Sequence, residues 1–140
     1  MTDFLPESYL FVYGSLRQAA KRSQHTLMRR YCQWQGEGFI KARLYQIADY
    51  PGAVESDLDT DRVYGEIYQI SDPMALFAYL DHYEECSPDF PQPHEYRRQQ
   101  LKVSQLPDLT LTAWVYLYNH GVGDKSRILS GDFLDCLTAE

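Results

Sequence analysis

The chain has 140 residues, of which 44% are hydrophobic and 24% charged, and it carries a formal net charge of −7 at pH 7. This length is enough to bury one sizeable core, so we interpret residues 1–140 as a single domain. The acidic balance argues against a nucleic-acid partner, because neutralising phosphates requires clustered Lys and Arg.

Alternating apolar and polar residues predict five β-strands, at residues 8–13, 38–47, 62–70, 96–104 and 110–118. The last of these, TLTAWVYLY, alternates cleanly between two faces. In RVYGEIYQI, Gly65 indicates a bulge or a close approach of another backbone.

Two helices are predicted beside these strands. Apolar residues at helical spacing indicate a first helix over residues 24–34. The second begins at Pro73, after capping residues, and runs to residue 85. Five strands with few helices favour an α+β fold, a small mixed or antiparallel β-barrel with flanking helices.

The second predicted helix carries a carboxylate where its apolar stripe requires a core residue. Leu76, Leu80 and Glu84 are spaced by four and share one face, whereas Glu85 follows Asp81 by one turn on the solvent side. An inward carboxylate is costly unless it is paired, and desolvation of such a group suits it to general acid–base catalysis. The alternative is a solvated glutamate where the helix ends.

The stretch FVYGSL, residues 11–16, is an apolar strand that ends at a glycine. Successive N–H groups of Gly14, Ser15 and Leu16 before a helix can form an anion-binding nest for a carboxylate or a phosphate. Taken alone, the pattern favours a plain turn after a buried strand. It lacks the glycine spacing of nucleotide-binding loops, so it gives little support to a nucleotide ligand.

Metal chemistry is not expected from this sequence. The four histidines show no ligand spacing, and neither HExxH nor CxxC occurs. Asp57, Asp59 and Asp61 form a D-x-D-x-D array, but Arg62 stands where a calcium loop needs glycine. We therefore interpret ESDLDTDR, residues 55–62, as a solvated loop.

The expected compartment is the cytoplasm. Cys32, Cys86 and Cys136 are an odd, widely spaced set and a poor disulfide framework, which favours a reducing environment. No apolar run approaches the ~20 residues that span a bilayer. The opening MTDFLPESYL lacks the basic segment of a signal peptide. We expect no membrane partner.

Six short segments stand in a particular order along the chain: VYGSLR (12–17), YPGAV (50–54), VYGEIYQI (63–70), LDHYEE (80–85), EYRRQQLKV (95–103) and AWVYLYN (113–119). Together they resemble the gamma-glutamylcyclotransferase-like family, which includes the plant avirulence-induced proteins and the gamma-glutamylamine cyclotransferases. SGDFLD (130–135) is similar to the tail of some bacterial members. The resemblance implies a small β-barrel with flanking helices, and enzymes that release a γ-glutamyl group as 5-oxoproline.

The resemblance also implies roles for individual residues. The family's YG[ST]L loop, whose backbone binds the substrate's α-carboxylate, matches Tyr13, Gly14, Ser15 and Leu16. The glutamate of its LDxxE motif, the proton acceptor, matches Glu84. The substrate's own α-amine then attacks its γ-carbonyl. Tyr116, on the last predicted strand, is our first choice for a side chain that lines the pocket beside the substrate.

The expected partner is therefore a small γ-glutamyl amine or γ-glutamyl amino acid, with no metal or organic cofactor, bound by a monomer or a homodimer. PDFPQPH, residues 88–94, departs from the family pattern as a proline-rich insertion. Some relatives of bacterial type lack the glutamate, so the fold does not guarantee activity. The alternative function is a non-catalytic module that binds a small carboxylate metabolite through the same loop.

Overall fold

The computed structural model describes residues 8–14, 29–48, 50–83 and 95–133. Its elements are β1 (Ser8–Val12), β2 (Cys32–Gln46), β3 (Pro51–Glu55), β4 (Arg62–Ile70), α1 (Pro73–Tyr83), β5 (Tyr96–Gln105), β6 (Leu109–Tyr118) and β7 (Ser126–Arg127). In these ranges, no helix is both long enough and apolar enough to cross a membrane.

All five predicted strands are present, as β1, β2, β4, β5 and β6. The first predicted helix was wrong at its end, because residues 29–31 are helical and Cys32 already begins β2. The second predicted helix is α1, and its predicted last residues, 84 and 85, lie outside the described residues. The short strand β3 was not predicted.

Five strands close into a barrel in the order β2, β4, β1, β6, β5, and β5 pairs back onto β2 where Gly38 lies opposite Gln105. β1 and β6 are parallel, with Leu10 opposite Trp114, whereas the other pairs around the barrel are antiparallel. β3 and β7 both pair with the C-terminal part of β2. The prediction of an α+β fold built on a small mixed barrel is confirmed.

β1 is buried on both of its faces, which explains why its sequence is continuously apolar. Phe11 belongs to the buried cluster that fills the barrel. Leu10 and Val12 face the other way and belong to a second buried cluster, which includes Leu76 and Leu80 of α1. The helix therefore covers β1 from outside the barrel, and the strand runs through the centre of the molecule.

Gly65 allows β4 to approach β1 closely. A Cβ atom at this position would lie 2.3 Å from the carbonyl oxygen of Val12 and 2.7 Å from Cζ of Phe11. Both distances are far shorter than van der Waals contact, so only glycine fits. The predicted close backbone approach at this glycine is confirmed.

Asp61 is a buried carboxylate, which corrects our interpretation of the D-x-D-x-D array as a wholly solvated loop. Its Oδ2 accepts hydrogen bonds from Nε of Arg43 at 2.8 Å and from Oγ of Ser56 at 2.7 Å. Its Oδ1 accepts from Nη2 of Arg127 at 2.8 Å. These donors, the Arg43 hydrogen bond first among them, hold the pKa of Asp61 well below its usual range. The network joins β2, the start of β4 and β7.

Candidate functional site

The predicted site residues divide between described and undescribed parts of the chain. The structure describes Tyr13, Gly14 and Tyr116. The other three lie outside the described residues: Ser15, Leu16 and Glu84. Their roles remain predictions. The described residues around Tyr13, Gly14 and Tyr116 lie at the end of β1, at the start of β3 and on the faces of β4 and β6.

Tyr13, the residue after β1, holds the end of this strand in place. Its hydroxyl donates to the carbonyl oxygen of Tyr116 at 2.6 Å and accepts from the N–H of Ala53 at 3.1 Å. The side chain is buried with the residues of the barrel interior. Because the phenol is anchored on β6 and β3, the backbone that leads into Gly14 has a defined position.

Gly14 lies against Pro51, the first residue of β3. A Cβ atom at Gly14 would be 3.0 Å from Cγ and 3.1 Å from Cδ of the proline ring. The carbonyl oxygen of Pro51 accepts a hydrogen bond from the hydroxyl of Tyr96 at 2.6 Å, so the proline is itself held. Because Gly14 has no side chain, the backbone after β1 can lie close to the YPGAV segment.

A row of side chains crosses the outer face of the barrel beside the end of β1. Val12 lies opposite Glu66 of β4. The parallel register of β1 and β6 brings Val12 alongside Tyr116 on its other side. Tyr116 in turn lies opposite Arg98 of β5. The row thus places a carboxylate, a phenol and a guanidinium next to the strand that leads to Gly14.

Tyr116 connects this row to α1. Its hydroxyl donates to Oδ1 of Asp81 at 2.6 Å. Asp81 lies near the C-terminal end of α1, three positions before Glu84 in the sequence. Its side chain is 25% exposed, so the predicted solvent-facing side of the helix is partly buried here by β5 and β6.

Arg98 holds the other oxygen of the same carboxylate. Its Nη1 lies 3.1 Å from Oδ2 of Asp81, in an ion pair that lacks the alignment of a hydrogen bond. The guanidinium carbon lies 4.0 Å from the ring centre of Phe77 and 5.2 Å from that of Trp114, and so stacks between helix and strand. Tyr116, Asp81 and Arg98 are therefore one fixed group, which spacing alone did not predict.

Glu66 is a buried carboxylate that was not predicted from the sequence. It is 1% exposed, and its Oε1 accepts a hydrogen bond from the hydroxyl of Tyr68 at 2.8 Å. The sequence did contain an indication of this burial. In VYGEIYQI, apolar residues occur on both faces of the strand, which predicts that both faces are buried and that a charged side chain there is buried as well. Glu66 therefore lies across from Val12, and Val12 is two residues before Gly14.

A second polar cluster surrounds Tyr118, the last residue of β6. Burial raises the pKa of Tyr118, and the negative charges of Glu95 and Asp124 raise it further. Glu95 accepts a hydrogen bond from the hydroxyl of Tyr50 at 2.5 Å. The cluster lies on the side of the barrel where β5 begins and β6 ends.

The groups at the end of β1 are suited to binding and orienting a polar ligand and to moving protons. They are phenols, carboxylates and one guanidinium, each with a defined partner. Within the described ranges, no three His, Cys, Asp or Glu side chains are grouped so as to hold a metal ion.

Comparison with known proteins identifies the family. A family model described as gamma-glutamyl cyclotransferase, AIG2-like, matches residues 10–135. The gamma-glutamylcyclotransferase family protein YtfP of Escherichia coli K12 is 34% identical over 127 residues, which is 90% of this chain and 96% of that protein.

Two solved structures show the same fold. The solution NMR structure of ytfP from Escherichia coli has a TM-score of 0.61 at 29% identity, and the match covers 93% of this chain and 99% of that chain. The crystal structure of an AIG2-like protein from Mus musculus has a TM-score of 0.65 at 22% identity, over 84% of this chain and 81% of that chain.

Proposed function

The chain belongs to the gamma-glutamyl cyclotransferase, AIG2-like family, and we propose that it converts a γ-glutamyl amine or γ-glutamyl amino acid into 5-oxoproline and the free amine. The observation that carries the proposal is the braced end of β1. Tyr13 is anchored to β6 and β3, and Gly14 lies against Pro51. Both residues match the family's YG[ST]L loop, which the resemblance implies binds the substrate's α-carboxylate.

In the proposed reaction the substrate's α-nitrogen bonds to its own γ-carbonyl carbon, and the bond from that carbon to the leaving nitrogen breaks. The α-ammonium loses two protons as it becomes the ring amide. The leaving nitrogen gains two and departs as an ammonium ion, so no oxidant, reductant or cofactor is required. Glu84 accepts a proton from the ammonium and returns one to the leaving nitrogen.

The backbone N–H groups of Gly14, Ser15 and Leu16 are proposed to bind the α-carboxylate. This contact fixes the glutamyl chain in the bent shape that brings the α-nitrogen to the γ-carbonyl. Much of the rate enhancement would then come from positioning, since a held near-attack geometry removes entropy from the barrier. The two hydrogen bonds of the Tyr13 hydroxyl support this role, because they fix the backbone immediately before the loop.

The test is release of 5-oxoproline from a panel of γ-glutamyl dipeptides and γ-glutamylamines, with Glu84→Gln beside the parent protein. Glu85→Gln is the matched control, because it makes the same change at the next position. We expect release by the parent and by Glu85→Gln, and a loss of at least about 100-fold in Glu84→Gln, as for removal of a general base.

Two other results would contradict the proposal. Release that survives in Glu84→Gln and disappears in Glu85→Gln would show that the proton transfer belongs to the other carboxylate. Absence of release from every donor, with small carboxylates still bound, would favour the alternative of a non-catalytic binding module on the same fold.

A further inference from the structure

Tyr118, at the end of β6, is a buried tyrosine whose hydroxyl has no hydrogen-bond partner among the residues that the structure describes. Only 8% of the residue is exposed. Two carboxylates, those of Glu95 and Asp124, lie beside it. We propose that these three side chains form a binding site for a small alkylammonium ion. The proposed reaction assigns no role to any of them.

The ring of Tyr118 is fixed, whereas its oxygen reaches the surface. A Cβ atom on Gly52 would lie 2.8 Å from Cβ and Cγ of Tyr118, so the side chain packs directly on the backbone of β3. Among the described residues, the only fully enclosed side-chain N or O atom that lacks a hydrogen bond is Nη1 of Arg98. The Tyr118 oxygen is therefore not enclosed. A hydroxyl that is largely buried without a hydrogen bond is costly, which favours a partner from solution.

Glu95 is held on the same side of the barrel by its neighbours. Its Oε2 accepts from the hydroxyl of Tyr50 at 2.5 Å. The Tyr50 ring centre lies 6.3 Å from that of Tyr96, which in turn lies 5.5 Å from that of Tyr118. The carbonyl oxygen of Glu95 also accepts from the N–H of Asn119 at 2.7 Å. Within the described ranges its Oε1 has no hydrogen-bond partner, so one oxygen remains for a ligand.

Asp124 reaches Tyr118 from a turn after β6. Val122 packs against the buried cluster that contains Tyr118, and its carbonyl oxygen accepts from the N–H of Lys125 at 3.0 Å, which closes the turn around Asp124. After burial itself, the charges of Glu95 and Asp124 raise the pKa of Tyr118, as expected where negative charge is close. In the described part of the chain, no Lys, Arg or His forms an ion pair with either carboxylate. Their charge is therefore available to a cation.

An alkylammonium ion matches these groups better than other small ligands. It carries one positive charge and several N–H donors, whereas the site offers a phenol oxygen and two carboxylates as acceptors. The carboxylates repel an anion. No three His, Cys, Asp or Glu side chains in the described ranges are grouped to hold a metal ion. The exposed ring of His120, centred 5.6 Å from that of Tyr118, offers apolar contact to an alkyl chain. The proposed reaction also releases an amine, but this site does not depend on that reaction.

The test is an NMR titration of the isotope-labelled full chain with n-butylammonium chloride at constant ionic strength, beside 1-butanol as a neutral probe of the same length. We expect the amide signals of Glu95, Tyr118 and Asp124 to shift with n-butylammonium and not with 1-butanol. Tyr118→Phe, Glu95→Gln and Asp124→Asn should each raise the dissociation constant about three- to tenfold. Glu95→Gln keeps an oxygen for the hydroxyl of Tyr50, so it changes the charge alone.

Tyr79→Phe and Asp57→Asn, which make the same changes at exposed positions, are matched controls that should bind as the parent does. The proposal is overturned if n-butylammonium shifts no signal at the three site residues, if 1-butanol shifts them equally, or if Tyr118→Phe leaves the dissociation constant unchanged. If Tyr118→Phe does not fold, Asp124→Asn, in an exposed turn, carries the test, and an unchanged constant there overturns the proposal. Release of 5-oxoproline is measured separately, and neither result depends on the other.

Discussion

Tyr13 and Tyr116 are 103 positions apart in the sequence, and the hydroxyl of the first donates to the carbonyl oxygen of the second at 2.6 Å. The same hydroxyl accepts from the N–H of Ala53. One phenol thus joins the end of β1 to β6 and to β3, immediately before the glycine of the proposed substrate loop.

Replacing Tyr13 with Phe should destabilise the protein by about 1–3 kcal/mol, because the buried carbonyl of Tyr116 and the N–H of Ala53 each lose the hydrogen bond to this hydroxyl. Urea unfolding followed by circular dichroism measures this change. Tyr79→Phe removes the same atom from a tyrosine that is 48% exposed, and should stay within about 0.5 kcal/mol of the parent. Equal effects at the two positions would contradict the bracing role of Tyr13.

Gly14→Ala should reduce 5-oxoproline release by about tenfold or more, because misplaced catalytic geometry is costly even at small displacements. The new methyl group would lie 3.0 Å from Cγ of Pro51, which is tighter than ordinary van der Waals contact, so Pro51 or the backbone at Gly14 must shift by a few tenths of an ångström. Steady-state kinetics on the best donor would measure the loss.

Two further variants sharpen this test. Gly123→Ala introduces the same methyl group where no atom lies within 4 Å, and should retain activity. Adding Pro51→Ala to Gly14→Ala removes the ring atoms and should restore part of the activity. A double variant as inactive as Gly14→Ala would show that the contact with Pro51 is not the cause.

The Asp61 network should make stability depend on pH in the acid range. Because Arg43, Ser56 and Arg127 lower the folded-state pKa of Asp61, the network stabilises the protein fully above the unfolded pKa of about 3.9. Its contribution is lost as the pH falls below that value. The urea midpoint of the parent should therefore decline between about pH 4 and pH 2 more steeply than that of Asp61→Asn.

Asp59→Asn is the control for this effect. Asp59 belongs to the same array and pairs with Lys41 at 3.4 Å, but its side chain is 92% exposed. Exposed ion pairs contribute little, so this variant should keep the acid sensitivity of the parent. If Asp61→Asn retained that sensitivity as well, the buried network would not be its source.

Cys32 should be unreactive in the folded protein. Desolvation by burial raises the pKa of its thiol to about 12, so at pH 8 almost none of it is the nucleophilic thiolate. Iodoacetamide labelling followed by peptide mass analysis should show Cys32 modified at least about 100-fold more slowly without urea than in it. Comparable rates would mean that this part of β2 opens readily.

The sequence predicted those strands whose pattern is visible locally. β6 alternates over its whole length, and α1 begins with a cap and a proline, so both were located closely. β3 has the sequence PGAVE, and Pro and Gly are unfavourable in strands. It is a strand because it pairs with β2, and this pairing cannot be predicted from its own residues. The polar, glycine-containing start of β2 escaped detection for the same reason.

The parts of the site that were missed depend on contacts between distant residues. Helical spacing placed Asp81 on the wet side of α1, and nothing nearby in the sequence indicated that Arg98 and Tyr116 would cover it. From the sequence, Asp61 resembles a solvated loop aspartate, because its partner Arg127 is 66 positions away along the chain. Burial of a charge is decided by its partners, and these become neighbours only in the folded barrel.

The position of β1 between β4 and β6 also has a consequence for synthesis on the ribosome. β1 is made before both of its neighbours, and it forms its parallel pair only after β6, the last strand of the barrel, has emerged. Until then a nascent chain keeps one side of an apolar strand open, which is the kind of edge that chaperones protect. The carbonyl that anchors Tyr13 belongs to β6, so a ribosome stalled before that strand would hold a chain in which Tyr13 is not yet anchored.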